Sequence, residues 1–287
     1  MVRPLVLVAL AGFCIVLSRE ADRTWGAPEE MCMIKEELVD ESSGVAPSQI
    51  ASGVFYTHND SGDTARFFRF KRDGSVDGIF TLPGAKAVDW EDMASATVDG
   101  KPYLYLGDVG DNGEERETIT VYRVPEPTVT GTKTIDSFDT YTLKYPDKAH
   151  NCEALFVTKT GDVWVVTKDP GGISKAFVLK APKSDGAFTL KHVADIEVDT
   201  GGMGGKLVTG GDVSPDGKFV VLRTYTAAFE YAVPENFDGW TKSEPIFVRT
   251  AIEMQGEAVC YSKDGRYMVT TSEFSPCAVS VMALQGP

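Results

Sequence analysis

Apolar and polar residues alternate along this chain in short runs broken by glycine and aspartate turns, and no stretch carries a helical period. Glu257-Ala-Val-Cys-Tyr-Ser-Lys-Asp-Gly265 shares its layout with Glu153-Ala-Leu-Phe-Val-Thr-Lys-Thr-Gly161 and Thr209-Gly-Gly-Asp-Val-Ser-Pro-Asp-Gly217. Each has a polar lead residue, a short strand, a glycine turn eight positions on, and an apolar strand that ends in a polar cluster. Looser copies start at Glu91, running through Asp99-Gly100, and at Ser43, running through Ser52-Gly53. The lead positions 43, 91, 153, 209 and 257 stand 48 to 62 residues apart. Repeats of about 40 to 50 residues with loop insertions and no helix predict propeller blades. Five copies predict an all-β, five-bladed β-propeller.

Turn and strand signals predict the remaining strands of each blade. Blade one takes Val54–Tyr56, Arg66–Phe70 and Gly78–Leu82; blade two takes Tyr103–Leu106, Ile119–Val124 and Thr140–Leu143. Blade three takes Val163–Val166, Ala176–Leu179 and Phe188–Val193; blade four takes Phe219–Leu222, Ala228–Tyr231 and Ile246–Arg249. Blade five has only Tyr267–Thr270 and Ala278–Met282 beyond its first strand, and it lacks an outer one. The N-terminal segment from Met31 to Leu38, overlapping the unassigned stretch Lys35–Asp40, is expected to supply that strand. Doing so closes the ring and removes an exposed sheet edge. Residues 19 to about 30 read as a loose lead-in, and Gly201-Gly-Met-Gly-Gly205 as a flexible loop into blade four.

Arg3 followed by the apolar run Pro4–Leu17 and Ser18 reads as a secretory signal peptide over residues 1–18, too short for a membrane span. Residues 19–287 then form one exported, extracellular domain, read as a monomer. A net charge of −14 argues against nucleic acid and anionic membrane as partners. It suits either cation binding or plain solubility. Of five cysteines, Cys14 leaves with the signal, and strand closure would bring Cys32 beside Cys277, the favoured disulfide. Asn59-Asp-Ser61 is a glycosylation sequon.

In a propeller, the innermost strand starts and the second strand ends on one face beside the central axis. Ser43, Glu91, Glu153, Thr209 and Glu257 should therefore ring that axis. Three converging carboxylates repel unless protonated or bound to a cation, and a hard, oxygen-ligated ion such as Ca²⁺ resolves the conflict. A water-filled polar channel is the alternative, and Asp92 and Asp212 are candidates under a shifted register. The second-strand ends add Asp60, Asp63, Asp108, Asp111, Asn112 and Glu273 to that face, in turns that resemble calcium loops and equally suit ordinary turns. Lys168 and Arg223 would hold a substrate anion or neutralise the acidic rim, with Tyr225 or Asp169 as proton donor. His58, His150 and His192 lack metal-ligand spacing. No nucleophile-elbow, P-loop or dinucleotide motif is present.

Asp89-Trp-Glu-Asp-Met-Ala, Gly107-Asp-Val-Gly-Asp-Asn, Val121-Tyr-Arg-Val-Pro-Glu-Pro, Thr209-Gly-Gly-Asp-Val-Ser-Pro-Asp-Gly and Gly256-Glu-Ala-Val resemble an exported bacterial β-propeller family related to phytase-like and esterase-like propellers. The order Ser43, Glu91, Glu153, Thr209, Glu257 is similar to the central calcium site of five-bladed calcium-activated nucleotidases, or apyrases, with Thr209 in place of a serine. That resemblance implies an axial Ca²⁺. Together these readings predict a metal-dependent hydrolase of a small anionic or ester substrate, foremost a phosphoester, with a lactonase or arylesterase as a third reading. The competing expectation is a non-catalytic extracellular binding or matrix protein with a structural calcium.

Overall fold

The computed structural model describes residues 23–198 and 205–286, and it forms five sheets about one axis, antiparallel apart from one parallel edge pairing in each of two sheets. The innermost strands are Ser42–Pro47, Trp90–Val98, Cys152–Val157, Val208–Val213 and Gly256–Tyr261, one per blade, each paired with the strand that follows it. They are buried almost throughout because neighbouring blades cover both faces. The expected signal peptide, and residues 201–204 of the glycine-rich loop, lie outside the described residues.

The ring closes through Glu29–Ile34, which lies antiparallel to Cys277–Gln285 as the outer strand of blade five. This is a strand from the N-terminus, as the missing blade-five strand required, but it precedes Lys35–Asp40. The apolar alternation of Met31, Cys32 and Ile34 faces the blade, whereas Lys35-Glu-Glu37 is polar. Nor are the described residues before it a loose lead-in. Thr24–Trp25 pairs with Leu284 and Gln285, and Arg23 and the Trp25 indole both donate to buried Glu230 of blade four, at 2.9 and 3.0 Å.

Blade edges are clasped by segments borrowed from the next blade. Gly131–Thr134, from within blade two, adds a parallel fifth strand to blade one. Gly186–Thr189, from within blade three, does the same for blade two. The expected single strand Phe188–Val193 is thus divided at Leu190, with Lys191–Glu197 alone forming the outer strand of blade three. In blade four the equivalent segment is a 3-10 turn, Phe237–Lys242, whose Trp240 is buried against Phe156 and Trp164 of blade three.

The expected Cys32–Cys277 disulfide is not formed. Cys32, Cys152, Cys260 and Cys277 are all free and buried, and the Cys277 thiol donates to the Ser272 carbonyl at 3.3 Å. They behave as small apolar residues, and Cys32, Cys260 and Cys277 share one core cluster between blades five and one.

A candidate acidic metal site at the upper mouth

Each repeat lead residue occupies the same special backbone position. The register between first and second strands slips between Ser42 and Gly44, Trp90 and Asp92, Cys152 and Ala154, Val208 and Gly210, and Gly256 and Ala258. The extra residue at each slip is Ser43, Glu91, Glu153, Thr209 or Glu257. A bulge leaves one residue unpaired and re-aims its side chain. Five bulges therefore bring five polar side chains to one end of the axis, here called the upper mouth, and all five are buried.

Contacts within the ring are unequal. Ser43 Oγ donates to the Glu91 carbonyl at 2.6 Å, and Thr209 Oγ1 to the Gly256 carbonyl at 2.9 Å, so the two hydroxyls join neighbouring blades. Lys168 brings an ammonium to Glu153 Oε1 at 3.0 Å and donates to the Tyr225 hydroxyl at 2.8 Å. Asn151 also donates to Glu153 Oε1, at 3.0 Å. Among the described residues, Glu257 Oε2 is buried without a hydrogen-bond partner.

Electrostatics follow from that crowding. Burial, then Glu153, Asp60 and Asp89, push the Glu91 carboxyl well above its ordinary range. Burial, reinforced by Glu153 and Glu273 and partly opposed by Lys168, pushes Glu257 up to about 8. Glu153 is raised by burial in spite of Lys168 and Asn151. Burial acts to lower the Lys168 ammonium, but Glu153 and Tyr225 outweigh it and the group is raised, so it stays charged. The Tyr225 phenol, pushed up to about 12 by burial and Glu257, keeps its proton.

Among the described residues, the tight acidic group is not the axial glutamate trio. Asp60, Asp89 and Glu91 place one carboxylate oxygen each within 4.8 Å of one another. Glu91 belongs to both sets, linking the axis to a cluster between blades one and two. Burial, with Asp60 and Glu153, lifts Asp89 to about 6. Gly110 closes the cluster from blade two: a Cβ there would lie 2.4 Å from Glu91 Oε1 and 2.5 Å from Asp89 Oδ2. Only a residue without a side chain lets the carboxylates pack against that backbone. The donor set is all oxygen and carries excess negative charge, which suits a hard divalent cation. The sequence reading missed Asp89; its position two residues before a repeat lead was the available signal.

Other expected site residues have structural partners. Arg223 is fully buried, donating to the Ala258 and Thr271 carbonyls at 2.8 and 3.1 Å and paired with Glu253. It braces blades four and five rather than facing the mouth. Asp169 accepts from the Gly171 N–H at 2.7 Å within its own turn. Asp63 pairs with Arg66 at 2.7 Å and accepts from Asn59 Nδ2 at 2.9 Å, Asp108 pairs with Arg116 at 2.9 Å, and Asp111 caps the N–H groups of Glu115 and Arg116. Asn112 accepts from Asn151 at 3.2 Å, and Glu273 accepts from Gln255 Nε2 at 2.5 Å. Asp92 and Asp212 lie deeper along the axis as backbone acceptors.

No protein-family profile matches this chain, and no curated protein matches it in sequence. Its fold is similar to solved propellers. A gluconolactonase from Xanthomonas campestris aligns at TM-score 0.51 with 13% identity over 93% of this chain and 91% of the other. The PQQ-bound aldose sugar dehydrogenase of Streptomyces coelicolor aligns at 0.50 with 9% identity over 91% and 98%. A putative 6-phosphogluconolactonase from Bacteroides uniformis aligns at 0.41 with 15% identity over 84% and 67%. At these identities the likeness is one of fold.

Proposed function

We propose that this protein is an exported, metal-dependent hydrolase of small neutral esters, with lactones foremost, acting at the upper mouth. The observation that carries the reading is the placement of Glu91: one buried carboxylate shared between the Asp60–Asp89 cluster and the axial glutamates. Asp60, Asp89 and Glu91 would hold the ion, and Ca²⁺ suits their all-oxygen chemistry. When bound, such an ion supplies Lewis-acid polarisation of an ester carbonyl and a more acidic water.

The protein's own groups do the rest. Glu257, with an unpartnered oxygen and a carboxyl pushed up to about 8, would accept a proton from water in its ionised form. Tyr225 accepts the Lys168 hydrogen bond, which leaves its own O–H to serve as donor to a developing or leaving oxygen. Lys168 holds that phenol in place and offsets Glu153.

A neutral substrate is favoured over a phosphoester because Arg223 is committed inside the fold, and the ammonium of Lys168 is already bonded to Glu153. An anion would meet Asp60, Asp89, Glu91, Glu153 and Glu257 with little cationic surface to receive it. The shared fold of the Xanthomonas gluconolactonase is compatible with this choice, although a sugar dehydrogenase shares the fold equally well. A panel of γ-lactones, δ-lactones, aryl acetates and aryl phosphates, assayed with Ca²⁺ and with EDTA, tests it. Calcium-dependent turnover of lactones or acetates is expected. Turnover confined to phosphates, or insensitive to EDTA, overturns the reading.

A further inference from the structure

The opposite end of the axis carries a second cavity, of about 480 Å³, which the upper-mouth chemistry does not use. It opens where the innermost strands end, at Pro47, Ala96, Val157, Val213 and Tyr261, with Phe237 of the blade-four 3-10 turn on one side. Its volume lies in the range of sites that enclose small organic ligands. The walls are chiefly apolar, and the Phe237 ring is fixed by packing on Trp164, centroids 5.5 Å apart.

Asp212 forms part of that wall and is the more buried of its two carboxylates, 7% exposed, the other being Asp162. Oδ1 accepts the Val213 N–H and Oδ2 the Tyr261 N–H, both at 2.8 Å. A carboxylate has about four acceptor sites, so two bonds leave acceptor capacity unused. No ammonium or guanidinium among the described residues bonds to it. The comparable carboxylate of Asp92 accepts three backbone N–H groups, one more than Asp212. A buried carboxylate that no cation bonds, in a chiefly apolar chamber whose other charged lining residues are the exposed Lys159 and the Lys180-paired Asp162, favours a partner that brings a positive charge on an apolar body.

We propose that the lower chamber is a binding site for a small primary amine with an aromatic or aliphatic body, the ammonium on Asp212 and the body against Phe237, Val157 and Val213. The polar edge formed by Gln49 and Ser95, bonded to each other at 2.9 Å, takes a second polar group of the ligand or its water. This site is separate from the proposed hydrolase site and does not depend on it.

Binding of 2-phenylethylamine, 2-phenylethanol and phenylacetate to the whole protein, followed by ligand-observed NMR and calorimetry, tests the assignment. The amine is expected to bind at least tenfold more tightly than the alcohol, with phenylacetate weakest. Thr97→Trp, which fills the exposed rim without touching Asp212, is expected to abolish amine binding, and Asp212→Asn to remove the preference for amine over alcohol. Glu257→Gln at the other mouth is expected to leave amine binding unchanged. Equal binding of amine and alcohol, no amine binding at millimolar concentration, or binding undiminished in Thr97→Trp each overturns the proposal. Because Thr97→Trp leaves the bonds of Asp212 to Val213 and Tyr261 in place, the test stands even if Asp212→Asn fails to fold.

Discussion

The carboxylate of Asp92 accepts the backbone N–H of Gly211, two blades away around the ring, at 3.0 Å. The same Oδ2 accepts Leu155 N–H of the intervening blade at 2.8 Å, and Oδ1 accepts Met93 N–H. One side chain thus ties the inner strands of blades two, three and four together, between the acidic mouth above and the chamber below. Asp92→Asn keeps the shape but turns an amide N–H toward at least one backbone N–H. We expect a loss of about 2 to 4 kcal/mol in denaturant unfolding. A change below about 0.5 kcal/mol would show that the cross-axis bond contributes little.

Arg223 makes a different kind of brace. Gly256 permits it, since a Cβ there would lie 1.9 Å from the guanidinium. Arg223→Ala strands Glu253 in the interior, and an expected loss of about 3 to 5 kcal/mol follows from leaving a buried charge unpaired. Turnover per folded molecule should change little, as read from kcat/KM beside an unfolding curve. A hundredfold fall in kcat/KM with unchanged stability would place Arg223 in the chemistry after all.

Asp212 should set part of the pH dependence of stability. Burial, partly opposed by the Tyr261 and Val213 N–H groups, pushes it up to about 7 from an ordinary 3.8. Between those values the folded protein holds a proton that the unfolded chain releases. Stability from this group is therefore full below pH 4 and lost as pH rises to about 7, on the order of 4 kcal/mol in total. Urea unfolding at pH 4.5 and pH 7.5, wild type against Asp212→Asn, reads it. The wild type should lose more stability across that interval than the variant, and parallel profiles would contradict the assignment.

Gly110→Ala tests the packing of the acidic cluster. The new methyl displaces Asp89 and Glu91, so calcium-dependent stabilisation should fall at least tenfold in apparent affinity while far-UV circular dichroism stays that of the parent. Undiminished calcium affinity would mean that the ion sits elsewhere.

The architecture was legible because the repeat records it directly: the lead residues Ser43, Glu91, Glu153, Thr209 and Glu257 recur at blade spacing, and each proves to be a bulge. Sequence position therefore identified which side chains converge. It did not reveal their company. Lys168 reached the ring as expected, yet Arg223, one strand position from looking equivalent, turned into the seam between blades. Asp89 was hidden because its proximity to Asp60 depends on how two loops from different blades approach. The borrowed edge strands Gly131–Thr134 and Gly186–Thr189 were illegible for the same reason. Short, exposed, parallel pairings leave little hydrophobic alternation, and the paired cysteines expected from their compartment were simply core residues.

The most direct test of a metal site centred on Glu91 is thermal and denaturant unfolding of EDTA-stripped protein titrated with Ca²⁺, wild type beside Glu91→Gln. At 100 times its dissociation constant, an ion that binds only the folded state adds about 2.7 kcal/mol. The wild type should show a saturating rise of that order that Glu91→Gln loses. No rise with Ca²⁺, Mg²⁺, Mn²⁺ or Zn²⁺, or an equal rise in both proteins, would contradict the account.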